Sequence, residues 1–129
     1  MEEIFDFIRD CGMFFLATVD GDWPKVRPLG AIDLIDGKLY IFTGKNKETF
    51  RQLERNPKAE LCACKGDSFV RVCGELKLDE RAEVVEHMIS SYPQFKNNEK
   101  DYSDAALMYF TNGSAIKSTF GQEPKVYAF

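Results

Sequence analysis

Short turn dipeptides divide this sequence into apolar segments, and they constrain its fold more than any other feature. Asp20-Gly21 and Asp36-Gly37 interrupt a run of apolar and β-branched residues that extends over residues 13–44. Asp-Gly favours a tight hairpin, because Gly adopts positive φ freely and Asp tolerates it. The segment is therefore predicted to form three antiparallel strands joined by hairpins.

Two prolines distinguish the second of these strands. Pro24 and Pro28 have no N–H to donate to a ladder, so the strand is predicted to lie at a sheet edge or to bulge. An irregular strand often turns side chains toward a functional site. The residues between and beside the prolines are therefore candidates for binding.

Helical spacing of apolar residues predicts three short helices. Ile4, Phe5 and Ile8 indicate a first helix that ends near Gly12. A second is predicted over residues 46–54, before Asn56-Pro57, and a third over residues 80–91 with Asp79 as its N-cap. The polar residues 93–104 are then predicted to form a loop.

The other segments are predicted to be strands. Residues 59–65 and 69–78 form a hairpin around Gly66-Asp67, and three short strands follow over residues 107–111, 115–118 and 126–129, the first two joined by a turn at Asn112-Gly113. The 129 residues thus form one mainly β domain, 1–129, with helical insertions and seven or eight antiparallel strands. This pattern fits a small barrel better than a parallel α/β sheet.

Charge and cysteine content narrow the functional classes. With 17 basic and 21 acidic residues the net charge is −4, which argues against binding to nucleic acid or an anionic membrane. The acidic N-terminus resembles no signal peptide, so a cytoplasmic location is expected. In that reducing compartment Cys11, Cys62, Cys64 and Cys73 are expected to be small buried or half-buried packing residues, with metal ligation as the alternative.

Basic residues cluster in the first third of this acidic chain. Lys25 and Arg27 share one face of the second strand, and Phe42-Thr43-Gly44-Lys45-Asn46-Lys47 ends the third. If these strands pair, the two segments come together, and Arg, Lys, Thr and helix-start amides are groups that bind phosphate. The alternative is a set of solvated strand-end charges. His87, the only histidine, is expected to have a surface or helix-packing role.

The order of these segments resembles the pyridoxamine 5'-phosphate oxidase-like FMN-binding family. The resemblance lies in WPKVRPLGAIDLIDGKLYIFTGKNKETFRQLERNPKAELCA followed by FVRVCGEL, and it extends over nearly the whole chain. It implies a six-stranded antiparallel split β-barrel and a homodimer that holds FMN between its subunits. Eleven Phe, five Tyr and one Trp also favour an aromatic-rich interface.

The same resemblance implies the cofactor site. Arg27 and Lys47 would hold the FMN phosphate, although Thr49 stands where many members carry their phosphate lysine. The full set of expected cofactor-binding residues is Lys25, Val26, Arg27, Pro28, Leu29, Phe42, Thr43, Lys45, Asn46, Lys47 and Thr49. No catalytic residue and no metal ligand is assigned.

Two departures from the vitamin enzymes bear on the substrate. Phe69 stands where the true oxidases tend to have glutamine, and their substrate-binding Arg and His residues have no counterpart near the C-terminus. The chain is more similar to small flavin reductases and nitroimidazole-resistance-type proteins. The expected function is therefore an FMN-dependent oxidoreductase that passes electrons from a reduced nicotinamide to a small acceptor. The alternatives are a non-catalytic flavin or haem carrier or sensor, and an interaction module without ligand.

Overall fold

The computed structural model of the protein describes residues 1–93 and 102–129. The predicted loop over residues 93–104 lies largely outside the described residues. The elements in chain order are α1 (Glu2–Cys11), β1 (Phe14–Asp20), β2 (Trp23–Leu29), β3 (Ile32–Ile35), β4 (Lys38–Gly44), α2 (Glu48–Arg55), β5 (Lys58–Lys65), β6 (Ser68–Asp79), α3 (Ala82–Ser91), β7 (Ala105–Thr119) and β8 (Lys125–Ala128).

The strands form one antiparallel sheet in the order β2-β1-β5-β6-β7-β4-β3, with β8 added to β7. The two ends of this path, β2 and β3, are consecutive in the chain but do not pair. The sheet therefore remains unclosed at this point, and the mainly β split-barrel fold predicted from the sequence is confirmed. The predicted second strand is divided by residues 30–31 into β2, which pairs with β1, and β3, which pairs with β4.

Three of the predicted hairpin turns are present. Asp36 and Gly37 both have positive φ, as the expected turn requires. Gly66 also has positive φ, and residues 66–67 connect β5 to β6. The first turn is displaced by one residue, because Asp20 pairs with Trp23 and the turn consists of Gly21 and Asp22.

The turn predicted at Asn112-Gly113 is wrong. Asn112 has positive φ, but β7 continues through it, and β6 shows a register shift around Gly74 at the same level. The chain uses the unusual dihedral to bulge and bend the strand rather than to reverse it. Gly113 allows the close approach, since a Cβ there would overlap the carbonyl oxygen of Cys73.

The helices confirm the predicted positions with small differences at their ends. α1 ends at Gly12, which has a φ of 79° and donates its N–H to the Arg9 carbonyl oxygen. The third helix begins after Arg81, so Asp79 is not its N-cap. Instead, Asp79 belongs to β6 and its carboxylate accepts a hydrogen bond from the backbone N–H of Arg81.

The barrel core lies between the inner sheet face and the helices. Ile4 and Ile8 of α1 and Phe50 and Leu53 of α2 pack into one buried cluster with the strands. A smaller cluster joins α3 to β4 and β7 through Val84 and Met88. Among the described residues, no helix combines the length and the apolar character needed to cross a bilayer.

The opposite face of the sheet carries exposed and half-buried side chains along six strands. The register aligns Pro28, Phe15, Cys62, Arg71, Ile116 and Val126 in one row across β2, β1, β5, β6, β7 and β8. Phe15 is 48% exposed and Val126 is 66% exposed. Two cysteines on this face, Cys64 and Cys73, are exposed, so the expectation that all four are packing residues is wrong for these two.

Candidate functional site

Arg27 reaches from the edge strand into the interior of the protein. β2 pairs with β1 alone among the described strands, and Arg27 lies opposite Leu16 on the inward side of this pair. Its Nη1 donates to the Leu16 carbonyl oxygen over 3.2 Å and to the Thr18 hydroxyl over 2.7 Å. Its Nη2 donates to Oε1 of Gln52 on α2 over 2.8 Å.

Thr18 and Gln52 also contact each other, which closes a ring of hydrogen bonds. The Thr18 hydroxyl donates to Gln52 Oε1 over 2.6 Å. Thr18 is 2% exposed and Gln52 is 4% exposed, so both polar side chains are buried. The ring ties together β1, β2 and α2.

The acceptors around the Arg27 guanidinium are all neutral. Burial lowers the pKa of the Arg27 guanidinium, and the negative charge of nearby Glu48 opposes this effect. Arginine nevertheless keeps its proton in proteins, so the site carries a positive charge that no hydrogen-bonded carboxylate neutralises. Such a charge on a half-buried side chain favours an anionic ligand.

The segment between β4 and α2 adds further cationic groups. Lys47 adopts an extended conformation before α2, makes no side-chain cap and donates its N–H to the Gly44 carbonyl oxygen. The Asn46 side chain folds toward Gly44, where a Cβ would come within 2.7 Å of its Oδ1. Lys45 Nζ lies 3.2 Å from Glu80 Oε1. Of the two lysines, Lys47 is the more exposed.

The structure distributes the other predicted site residues between two locations. Lys25, Val26, Pro28 and Leu29 line the edge strand with Arg27. Phe42 and Thr43 lie on β4, and Thr49 is buried in the first turn of α2. The prediction that β2 pairs directly with the strand carrying Phe42 and Thr43 is wrong. Four strands, β1, β5, β6 and β7, lie between β2 and β4 in the sheet, and β4 pairs with β3 on its other side. What joins β2 to the segment after β4 is the contact of Arg27 with α2.

Sequence reasoning missed Thr18 and Gln52. A usable signal was present for each, because Thr18 follows Phe14 and Leu16 at inward positions of β1, and Gln52 lies beside the buried Leu53 on α2. A polar residue at a core-facing position needs a partner. Gln52 also lines a shallow cleft with Asp20, Glu48, Arg51 and Arg55.

Arg81 is the centre of a second polar cluster, at the junction of β6 and α3. Arg81 Nε and Nη2 contact the two carboxylate oxygens of Asp79 over 3.0 and 2.8 Å, and the Tyr40 hydroxyl donates to Asp79 over 2.7 Å. Hydrogen bonds from Arg81 hold the pKa of Asp79 well below its usual range. Burial, together with the bond to Asp79, raises the pKa of Tyr40 to about 12.

The single histidine has a polar partner on a strand. His87 Nδ1 lies 2.7 Å from Oδ2 of the buried Asp33, and Ser91 donates to the same oxygen over 3.2 Å. Tyr92 bonds both the N–H and the carbonyl oxygen of Ile32. These contacts fasten α3 to β3, in agreement with the helix-packing role expected for His87.

Comparison with known proteins gives a family for this fold and site. Residues 1–112 match the family model described as pyridoxamine 5'-phosphate oxidase. No curated protein matches the sequence significantly.

Among solved structures, a NimC/NimA family protein from Clostridium acetobutylicum is 36% identical, with a TM-score of 0.92 over 100% of this chain and 92% of that chain. A pyridoxamine 5'-phosphate oxidase-related, FMN binding protein from Nostoc punctiforme is 16% identical, with a TM-score of 0.64 over 99% of this chain and 93% of that chain. A heme binding protein from Mycobacterium smegmatis is 17% identical, with a TM-score of 0.74 over 98% of this chain and 57% of that chain. The last two likenesses concern the fold.

Proposed function

The chain belongs to the pyridoxamine 5'-phosphate oxidase family, and on this premise we propose that it is an FMN-dependent oxidoreductase that passes electrons from a reduced nicotinamide to a small acceptor. The observation that carries the proposal is the Arg27 guanidinium, which is held by neutral acceptors, one of them on the helix that follows the basic residues 45–47. A phosphate is the part of FMN that such a group recognises.

The residues present fit the phosphate of FMN. Arg27 supplies a positive charge that is not paired with a carboxylate by a hydrogen bond, and Lys47 lies at the start of α2, where no side chain caps the first-turn amides. Such amides bind anions. Arg27 and Lys47 would therefore hold the phosphate, with Lys45, Asn46 and Thr49 nearby.

The edge strand is suited to hold the rest of the cofactor. Lys25, Val26, Pro28 and Leu29 lie on an edge strand whose outer side no described strand pairs, so their carbonyl groups, and the N–H groups of all but Pro28, would run along the flavin ring and ribityl chain. Phe42 and Thr43 would approach from β4. When bound, FMN supplies hydride and single-electron transfer, and the polypeptide orients it and excludes water.

A second copy of the chain would complete the site. The exposed sheet face carries the large apolar side chains of Phe15, Val26, Phe69 and Val126, and exposed apolar patches mark interaction surfaces. Val26 is 68% exposed and lies on the cofactor strand itself. We propose a homodimer through this face, with FMN between the subunits. Lys117, Ser118 and Phe120 are the late-strand residues expected to contact the partner.

The test is the absorption spectrum of freshly purified protein before and after incubation with FMN and desalting. Flavin bands that survive desalting support the cofactor, and their bleaching by NADH or NADPH, with return on addition of a nitroaromatic acceptor, supports the reaction. Protein that refuses FMN overturns the proposal. Retained flavin without bleaching leaves a flavin carrier or sensor, which is the second candidate function.

A haem carrier is the other form of that second candidate. It is favoured by the similarity in fold to the heme binding protein. The only imidazole is His87, whose Nδ1 is engaged with Asp33, so iron would have to bind through Nε2. A Soret band that disappears in His87→Ala would support this reading.

The cytoplasmic location also stays a prediction. The four cysteines are all free, as is usual for proteins in a reducing compartment.

A further inference from the structure

The hydrogen bonds of Arg27 use only part of its guanidinium. Five N–H groups are available on an arginine side chain. Nη1 donates both of its protons, to Leu16 and Thr18, and Nη2 donates one, to Gln52. No described residue accepts from Nε–H or from the second Nη2–H.

The two remaining donors lie along one edge of the guanidinium. Nη2 is the terminal nitrogen on the Nε–H side, so these two N–H bonds are parallel, and this is the edge with which arginine forms bidentate pairs with carboxylates and phosphates. The opposite end, which joins Nη1 and Nη2, faces the Thr18 hydroxyl and Gln52 Oε1. These two acceptors are themselves only 2.6 Å apart. The ring thus fixes which edge stays open.

The hydrogen-bond directions within the ring follow from the chemistry of its members. Arginine only donates, so the oxygen of the Gln52 amide, and not its nitrogen, must face Arg27. Thr18 accepts from Arg27, and its one proton is therefore given to Gln52. A carboxylate of the same shape at residue 52 would accept the same bonds but neutralise the arginine charge.

We propose that Gln52, assisted by Thr18, is a positioning residue that orients the open edge of Arg27 toward the phosphate of the cofactor without neutralising it. This inference rests on the proposed FMN binding and adds residues that the family resemblance did not assign. It makes Gln52 specific for the phosphate, so that its replacement changes the discrimination between FMN and riboflavin rather than flavin binding in general.

The experiment compares Gln52→Glu, Gln52→Leu and Thr18→Val with the wild type. The dissociation constants of FMN and riboflavin are measured for each by flavin fluorescence quenching, together with the melting temperature of the flavin-free protein. Gln122→Glu is the matched control, because it makes the same chemical change at an exposed residue after β7.

Gln52→Glu is the informative variant, because its carboxylate still accepts from Arg27 and Thr18 and so preserves the packing. We expect FMN to bind at least about tenfold more weakly, because the introduced carboxylate neutralises the charge of Arg27. Riboflavin affinity should stay within about twofold. The melting temperature should not fall. In Gln52→Leu the same loss of FMN selectivity should accompany a lower melting temperature. Gln122→Glu should match the wild type in all three measurements.

A double-mutant cycle gives the second readout. If Gln52 acts through Arg27, adding the uncharged substitution Gln52→Leu to Arg27→Ala should weaken FMN binding no further than Arg27→Ala alone. Equal losses for FMN and riboflavin would give Gln52 a merely structural role and overturn the inference. So would an unchanged ratio of the two affinities in Gln52→Glu. A wild type that binds no flavin overturns the proposed function itself, and this inference with it.

Discussion

Two arginines of this protein occupy opposite electrostatic settings. Arg81 directs its Nε/Nη2 edge at the Asp79 carboxylate, and Asp36 and Glu83 lie within 4.0 and 3.5 Å of its terminal nitrogens. Arg27 directs its terminal nitrogens at a carbonyl, a hydroxyl and an amide oxygen and keeps its Nε/Nη2 edge open. The guanidinium of Arg81 is thus paired with carboxylates, whereas that of Arg27 has only neutral partners and an open edge.

The difference separates an arginine that stabilises the fold from one that we propose binds a ligand. A carboxylate partner satisfies the charge, so the pair stabilises the fold and has little left for a ligand. Neutral acceptors satisfy hydrogen bonds without removing charge, which leaves the group attractive to an anion. Glu48 is the acid whose charge acts on Arg27, and it makes no direct hydrogen bond to it among the described residues.

The largest expected effect is that of Arg27→Ala on FMN affinity. Loss of a charged hydrogen-bonding group costs about 1.5–3 kcal/mol, so the dissociation constant should rise about tenfold to a hundredfold. Riboflavin affinity should change much less, and flavin titration of the purified variant measures both. Arg27→Lys, which keeps the charge but loses the planar fork, should fall between the variant and the wild type. An unchanged FMN affinity would remove Arg27 from the site.

Arg81→Met should show the reverse pattern. Asp79 is nearly buried and would keep only Tyr40 as a side-chain donor, so the melting temperature should fall, whereas FMN affinity should stay within about twofold. Differential scanning calorimetry and flavin titration test the two parts. Arg9→Met is the control, because Arg9 pairs with exposed Asp6 and Asp10 and should lower the melting temperature less. Loss of FMN binding in Arg81→Met would contradict a purely structural role for Arg81.

Acid should weaken the contribution that the Arg81–Asp79 pair makes to stability. The pKa of Asp79 is depressed in the folded protein, so its contribution to stability is complete above the unfolded value of about 3.9 and is lost as the pH falls below it. Glu3, bonded to Tyr127 and Lys117, has a pKa of about 2 and acts in the same range. Melting temperatures of the wild type and Asp79→Asn between neutral and strongly acidic pH isolate Asp79. The variant should be less stable near neutrality and should approach the wild type in acid; parallel curves would contradict the pairing.

The smallest effect is expected from Glu48→Gln. Its carboxylate is exposed at the first turn of α2 and would repel a phosphate held by Arg27, so its neutralisation should tighten FMN binding about twofold to threefold at low salt. The gain should disappear at high salt, and riboflavin affinity should not change. Weaker FMN binding by this variant would mean that Glu48 supports the site instead of opposing it.

The local parts of the fold could be predicted from the sequence, and the longer-range parts could not. Asp36-Gly37 and the end of α1 at Gly12 depend on dihedral angles that neighbouring residues decide. Asn112-Gly113 carries the same signal and forms a bulge, because β6 continues alongside as a partner for both halves of β7. Whether positive φ reverses a strand or bends it depends on what pairs with it.

The same limit applies to the site. Arg27 could be predicted from the family resemblance, since its surrounding motif is local. The contact between Thr18 and Gln52 could not, because they are 34 residues apart and meet only when α2 packs on β1. The sequence shows that each is a polar residue among buried ones, but not that they satisfy each other around a third side chain.

The prolines of β2 have a further consequence for aggregation, because β2 lies at the end of the sheet. An exposed strand edge can act as a template for further strands, and unpaired amide donors make such growth possible. Pro24 and Pro28 remove two donors at alternate levels of the outermost strand of the sheet. Chains with an exposed apolar face can therefore meet face to face while their edges resist fibril growth. Replacement of both prolines by Thr should shorten the lag time of fibril formation, measured by thioflavin T fluorescence.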